Sequence, residues 1–171
     1  MMILDKLYEF DPNPTSVAIA AGTQASTNVI DLHGAGLIPV LANLQGARDM
    51  GVGDNPALKI NCQVVVAFTS GGAGTLSVSL QGAPDNGSGA PGSYTTWFVS
   101  PVYALATVAV IGANLLPMDM PRPPAGIGMP RFVRLLYTVA TATMTAGSVA
   151  SHLVIDRQDY VNYPAGLVIS N

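Results

Sequence analysis

The sequence has few charged residues, and this shortage excludes several classes of function. Of its 171 residues, 7 are Lys or Arg and 10 are Asp or Glu, so that 10% of the chain is charged. A typical soluble domain has about 25%. The net charge of −3 provides no basic field for phosphate groups, which argues against nucleic acid as a partner. Because charge is depleted at permanent protein interfaces, the composition favours a protein that assembles with others.

Cysteine is nearly absent, since Cys62 is the only one. An intramolecular disulfide is therefore impossible, and we expect folding in a reducing cytoplasm. The first residues lack the basic start and long apolar run of a secretory signal. Residues 86–118 and 135–155 carry no charge, but Gly, Pro, Thr and Ser interrupt them, which favours strands over membrane spans. We expect no membrane partner.

The chain is also poor in the residues that most enzymes use. It has two histidines, His33 and His152, and a single glutamate, Glu9. No Gly-x-Ser-x-Gly motif and no metal-ligand spacing accompany them, and a glycosidase needs paired carboxylates. We expect His152 on the outward face of a strand and Cys62 in the core. The sequence thus predicts no enzyme, no catalytic residue, no metal ligand and no cofactor, and a small hydrolase is the weakest alternative.

Alternating apolar and polar residues predict several β-strands. The alternation is clearest over residues 58–68 and 75–81, which a Gly-rich segment joins, and this arrangement predicts a β-hairpin. Residues 133–139 and 149–155 alternate in the same way and predict a second hairpin. Weaker strand signals occur at residues 27–32, 38–41, 94–99 and 105–111.

Helical periodicity is scarce, while Gly and Pro number 18 and 13. Many short strands with such turns favour two packed antiparallel sheets or a barrel. We predict an all-β, jelly-roll-like antiparallel β-sandwich that forms one domain over residues 17–159. We expect an N-terminal arm over residues 1–16, which includes one helical turn or an extended segment, and a C-terminal tail over residues 160–171.

Two regions are candidates for contact with a partner. The first is the N-terminal arm, which either docks on a neighbour or folds back onto the protein's own core; its apolar residues are Leu4, Leu7, Tyr8 and Phe10. The second surrounds the Pro-rich segment 118–124, which is either an interface or a solvated loop. Its basic residues are Arg122, Arg131 and Arg134, and Arg is enriched at interfaces.

Several ordered segments carry a resemblance to a known family. They are residues 2–7, 26–32, 48–53, 58–68, 75–81 and 131–137. The chain resembles the capsid cement, or decoration, proteins of certain tailed bacteriophages, typified by the Bordetella phage cement protein. The resemblance implies a jelly-roll fold that sits as a homo-oligomer, a dimer or trimer, on the exterior of the virion and bridges major capsid subunits. The residues of the arm would then reach a neighbour, and the Arg131 and Arg134 region would meet an acidic capsid surface.

One alternative comes from a different functional class. Jelly rolls often bind sugars through exposed aromatic rings. Tyr94, Trp97 and Tyr103 follow the long Gly/Pro loop at residues 83–92. A non-catalytic carbohydrate-binding module therefore remains an alternative.

Overall fold

The computed structural model describes residues 8–12, 21–32, 58–122, 125–126 and 130–155. These residues form ten strands and one short helix. In chain order they are β1 (Glu9–Asp11), β2 (Gly22–Ala25), β3 (Ile30–Asp31), β4 (Leu58–Ser70), β5 (Thr75–Ala83), β6 (Thr95–Val99), β7 (Tyr103–Ala104), α1 (Leu105–Val108), β8 (Met118–Asp119), β9 (Phe132–Ala140) and β10 (Met144–Ile155).

The strands form two antiparallel sheets, which confirms the predicted β-sandwich. The first sheet has the order β1-β10-β4-β8, and the second has the order β2-β9-β5-β6. In the second sheet β3 also pairs with β9, and β7 with β5. The part of the predicted arm that the structure describes is not separate from the domain, because β1 is an edge strand of the first sheet.

Both predicted hairpins are wrong. β4 lies in the first sheet and β5 in the second, and β9 and β10 are divided in the same way. β4 pairs instead with β10, from Leu58 opposite Ile155 to Ser70 opposite Met144. β5 pairs with β9 along its whole length. Strand alternation cannot distinguish a hairpin from two strands that face each other across a core, because both need one apolar face on each strand.

The β4–β5 and β9–β10 connections each pass from one sheet to the other, and they lie beside each other. The Ser70 hydroxyl donates to the Thr143 carbonyl at 2.8 Å, and the Thr69 and Thr145 hydroxyls are hydrogen-bonded at 2.8 Å. A glycine is required nearby: Gly147 has a φ of +132°, and a Cβ there would lie 2.2 Å from Cδ1 of Phe68. The fully buried Phe68 ring therefore packs directly on the backbone of β10.

The core lies between the inward faces of the two sheets. The inward residues of the four long strands are almost fully buried; they include Leu58, Ile60, Cys62, Val64, Leu76, Val78, Leu80, Val133, Leu135, Tyr137, Val149 and Leu153. Each large apolar side chain contributes about 1.5–3 kcal/mol on burial. The predicted inward faces of β4 and β5, including Cys62, are confirmed.

Outcomes differ among the weaker strand predictions. The segment 94–99 contains β6, whereas only two residues of the segment 27–32 form a strand, β3. Residues 38–41 lie outside the described residues. Residues 105–111 are not a strand, because they begin with the helix α1. This segment must pass from β7 in the second sheet to the edge of β4 in the first. There Gly112 N–H donates to the Val64 carbonyl at 2.8 Å, and Leu115 N–H to the Cys62 carbonyl at 2.8 Å.

A buried carboxylate joins the two sheets. Asp11 of β1 is 1% exposed. Its Oδ1 accepts hydrogen bonds from the Thr27 N–H at 2.8 Å and the Thr27 hydroxyl at 2.9 Å. Its Oδ2 accepts from the Tyr137 hydroxyl at 2.5 Å and the Ser151 hydroxyl at 2.7 Å. A buried charge is tolerated when its acceptors are satisfied in this way. Burial, which is the largest cause, raises the pKa of Tyr137 well above its ordinary value.

Replacement of Asp11 tests this network. Asp11→Ala leaves three hydroxyls and one backbone N–H without their acceptor, so we expect the free energy of unfolding to fall by about 3 kcal/mol or more. Asp11→Asn keeps one acceptor oxygen and should cost about 1–2 kcal/mol. Urea unfolding followed by circular dichroism measures both. Asp119→Asn is the matched control, because Asp119 is exposed and lies 4.0 Å from Lys59 Nζ. A loss for Asp11→Ala no larger than for the control would contradict the assignment.

Candidate interaction surface

Arg131 is paired within the chain, and the expectation that it also meets an acidic partner stays a prediction. Its Nε lies 3.1 Å from each carboxylate oxygen of Asp31, and its Nη2 lies 3.0 Å from Oδ2. Its Nη1 donates to Asp85. The hydrogen bond to Asp31 is the largest cause that raises the pKa of Arg131. Two carboxylates thus compensate the guanidinium charge, and they join β3 and the β5–β6 loop to the start of β9.

Arg134 has a different environment although it lies only three residues further along. It projects from the outward face of the second sheet, where its guanidinium carbon lies 3.6 Å from the centroid of the Tyr94 ring. Its Nε donates to Gln81 Oε1 at 2.9 Å, and Gln81 Nε2 donates to the Thr96 hydroxyl at 3.0 Å. Among the described residues, no carboxylate forms an ion pair with Arg134. Its charge is therefore oriented by neutral groups and not cancelled by an acid.

The surroundings of Arg134 form a surface that we call the outer face. Strand register places Arg134 beside Gln81, and Leu136 beside Ser79, which is itself opposite Val99. Thr138, Ser77 and Thr23 continue the same face. Val99 is 54% exposed, Thr23 is exposed and Leu136 is half-buried, whereas Ser79 and Gln81 of this face are buried. Among the described residues of these rows, Arg134 is the only charged one.

Further exposed apolar residues follow β6 along the chain. Val102, Val110 and Ile111 are 70%, 57% and 68% exposed. Together with Val99 they are the exposed large apolar side chains of residues 99–111, and we call this set the apolar ridge. The ridge was not predicted, because a strand was expected over residues 105–111, and alternate side chains of a strand would be buried. The absence of charge from residues 86–118 was the signal that could have identified it.

The N-terminal candidates do not form an exposed group. Phe10 is fully buried in the core, and Tyr8 is half-buried and packs against the core. For these two residues the alternative of a segment folded onto the protein's own core is correct, and the expectation that Phe10 reaches a neighbour is wrong. Leu4 and Leu7 lie outside the described residues. Arg122 is exposed.

The aromatic residues proposed for sugar binding are packed against the protein. A bulge in β6 between the residues opposite Leu80 and Gln81 turns Trp97 toward Gly82, as bulges commonly redirect a side chain. A Cβ on Gly82 would lie 2.3 Å from Cζ2 of the Trp97 ring. Tyr103 donates to the Leu115 carbonyl at 2.8 Å, and Arg134 covers Tyr94. None of the three rings is displayed as a free stacking platform.

His152 lies on the outward face of β10, as expected, but a surface role is wrong because the residue is only 6% exposed. Its Nε2 is 3.1 Å from Asn61 Nδ2, and Asn114 Nδ2 donates to Asn61 Oδ1 at 3.1 Å. Since the Asn61 oxygen is already used, its amide donates to a neutral His152. Burial lowers the pKa of His152. Burial, as the largest cause, raises the pKa of the Cys62 thiol to about 12, which makes it a poor nucleophile.

The described part of the chain was also searched for metal sites and membrane-spanning helices. It contains no group of three or more His, Cys, Asp or Glu residues placed to hold a metal ion. Within the same residues, no helix has the length and apolar character needed to cross a membrane. The second histidine, His33, lies outside the described residues.

The lowered pKa of His152 predicts a loss of stability at acidic pH. An unfolded histidine titrates near about 6.5, whereas folding disfavours the charged ring. The unfolded state therefore binds more protons, and stability falls as the pH drops through that value toward the lowered folded pKa. Urea unfolding between neutral and mildly acidic pH measures this slope. His152→Gln should flatten it, while His33→Gln reports the other imidazole. An unchanged slope in His152→Gln would show that this ring is not responsible.

Comparison with known proteins gives one family. A family model described as Bbp16 matches residues 15–153, a range that includes the strands from β2 to nearly the end of β10. A search of curated proteins finds no match. The family name indicates a Bordetella phage protein, which agrees with the coarser part of the sequence resemblance. The match spans well over half of the chain, and the protein therefore belongs to the Bbp16 family.

Proposed function

We propose that this protein is a virion structural protein of the cement type. It binds the outer surface of an icosahedral phage head as a homo-oligomer and bridges major capsid subunits. Membership of a family with a phage name supports a role in phage biology. The β-sandwich and the low charge of the chain agree with a role in assembly.

The observation that carries this proposal is the composition of the outer face. One stacked arginine projects from a surface of Ser, Thr and aliphatic side chains, and exposed Val99 belongs both to this face and to the apolar ridge. Permanent interfaces combine such an apolar, charge-poor centre with Arg and Tyr anchors. Arg134 is oriented before binding, so that little side-chain entropy is lost when it meets a carboxylate of the capsid.

Cement activity requires only binding. A protein that binds the assembled shell more tightly than free capsomers shifts the equilibrium toward the shell by its differential binding free energy. Each copy that contacts two capsid subunits converts the second contact into an intramolecular one. Weak individual contacts, repeated over many copies, therefore stabilise the head.

The carbohydrate-binding alternative receives no support from a specific observation. The ring of Trp97 lies on the backbone of Gly82, and Tyr94 is already stacked with Arg134. A sugar would have to displace these contacts. We therefore do not retain this alternative as a second proposed function.

Co-sedimentation with phage heads tests the proposal. Heads assembled from the major capsid protein of the same phage, without this protein, should bind it saturably and become more resistant to heat. Arg134→Glu should weaken binding by at least about tenfold, because it opposes like charges across the interface. Lys59→Glu makes the same charge change on the first sheet and serves as the matched control.

The possible results distinguish failure of the cement role from failure of the outer face as the contact surface. Failure of the unmodified oligomer to bind heads would refute the cement role. Saturable binding that Arg134→Glu and Lys59→Glu reduce equally would keep the cement role and reject the outer face as the contact. Unfolding of both variants by urea verifies that any loss of binding is not a loss of fold.

A further inference from the structure

The loop between β5 and β6 contains a reactive dipeptide. Asn86–Gly87 is the only Asn-Gly pair in the sequence. Both residues are exposed, and Gly87 has a φ of +90°. Without a side chain on Gly87, its backbone nitrogen is sterically open to attack on the neighbouring Asn86 side chain. The loop is ordered by two backbone hydrogen bonds, from Asn86 N–H to the Ala90 carbonyl at 3.0 Å and from Gly92 N–H to the Pro84 carbonyl at 2.8 Å.

A carboxylate is bound to the potential nucleophile. Asp85 Oδ1 accepts the Gly87 N–H at 2.7 Å and the Gly89 N–H at 3.0 Å. The other oxygen, Oδ2, accepts from Arg131. The Gly89 hydrogen bond is the largest cause that lowers the pKa of Asp85, so its carboxylate is ionised at neutral pH. Its hydrogen bond with the Gly87 N–H places Oδ1 to accept the proton that the Gly87 nitrogen must lose.

Hydrogen-bond donors surround the potential electrophile. Asn86 Oδ1 accepts from the Ser88 N–H at 2.9 Å and from the Ser88 hydroxyl at 2.7 Å. A longer contact of 3.4 Å comes from the Ala90 N–H. Donors that converge on a carbonyl oxygen polarise it and stabilise the oxyanion that forms when a nucleophile attacks. The loop thus places a base at the nucleophile and donors at the electrophilic carbonyl.

We propose that Asn86 is a site of self-catalysed deamidation through a succinimide. The Gly87 nitrogen forms a bond to Asn86 Cγ while its proton passes to Asp85. The Cγ–Nδ2 bond then breaks, and Nδ2 takes up that proton and leaves as ammonia. Water opens the cyclic imide at either carbonyl and leaves aspartate or isoaspartate at position 86. The net reaction consumes one water and releases one ammonia, without oxidation or reduction.

The product changes the loop in a defined way. Either hydrolysis product adds a carboxylate beside Asp85, next to its contact with Arg131. Isoaspartate also inserts a methylene into the backbone, so that the pairing of Asp85 with Pro91 across the loop is broken. The protein therefore acquires charge and loop disorder with age. This inference is independent of the proposed function.

Ageing of the purified protein at neutral pH tests the proposal. Mass spectrometry of proteolytic fragments detects the exchange of NH2 for OH at position 86, and an isoaspartate methylation assay detects the rearranged product. The reference is a peptide of residues 83–92, which has the same sequence without the fold. We expect the folded protein to react about tenfold faster, because the fold holds the reacting groups together. A rate equal to or below that of the peptide would overturn the proposal.

Three variants separate catalysis from loop structure. Asp85→Ser keeps an acceptor for the Gly87 N–H but cannot hold its proton, so the rate should fall toward that of the peptide. Ser88→Ala removes one donor to Asn86 and should slow the reaction less. Asp119→Asn removes an exposed carboxylate on β8 of the other sheet and should leave the rate unchanged. If Asp85→Ser reacts as fast as the unmodified protein, Asp85 is not the base.

Discussion

The sandwich depends on one buried carboxylate. Asp11 receives four hydrogen bonds from residues of three different segments, two of which belong to opposite sheets. Tyr137 comes from the second sheet, and Ser151 from the first. Apolar contact between sheets is non-directional, so it leaves their relative position weakly specified. The charge-assisted network of fixed geometry that Asp11 forms between the sheets supplies that specification.

Buried polar residues show what the alternation of apolar and polar residues does not predict. Alternation predicted the inward faces of β4 and β5 because nearly every second residue there is apolar. On β10 the inward row includes Ser151, and the outward row includes His152, which is nevertheless buried. Alternation of apolar and polar residues predicts the face of the sheet on which a side chain lies, but it does not predict how deeply that side chain is buried. Likewise, the turn residues predicted that the chain reverses, but the choice between a hairpin and a crossing is made by pairing with strands far away in sequence.

The arginines illustrate the same dependence on distant residues. Arg131 and Arg134 lie three residues apart in sequence, and the same role was expected for both. Arg131 meets Asp31 and Asp85, which are 100 and 46 residues away along the chain. Arg134 instead meets Gln81 and Tyr94. The local sequence does not distinguish the two arginines. Only the register of β9 with β5 and β3 separates the arginine that two carboxylates compensate from the one that neutral groups hold.

The pairing of β4 with β10 has a consequence for how the chain folds. Asn61 and His152, which lie opposite each other in this pair, are 91 residues apart in sequence. The central strand β4 of the first sheet therefore cannot pair with its main partner until β10, the last described strand, has been synthesised. Contacts of such long range make folding slow. During synthesis the apolar β4 has an unpaired edge until β10 leaves the ribosome, and this interval is when the chain is most exposed to aggregation.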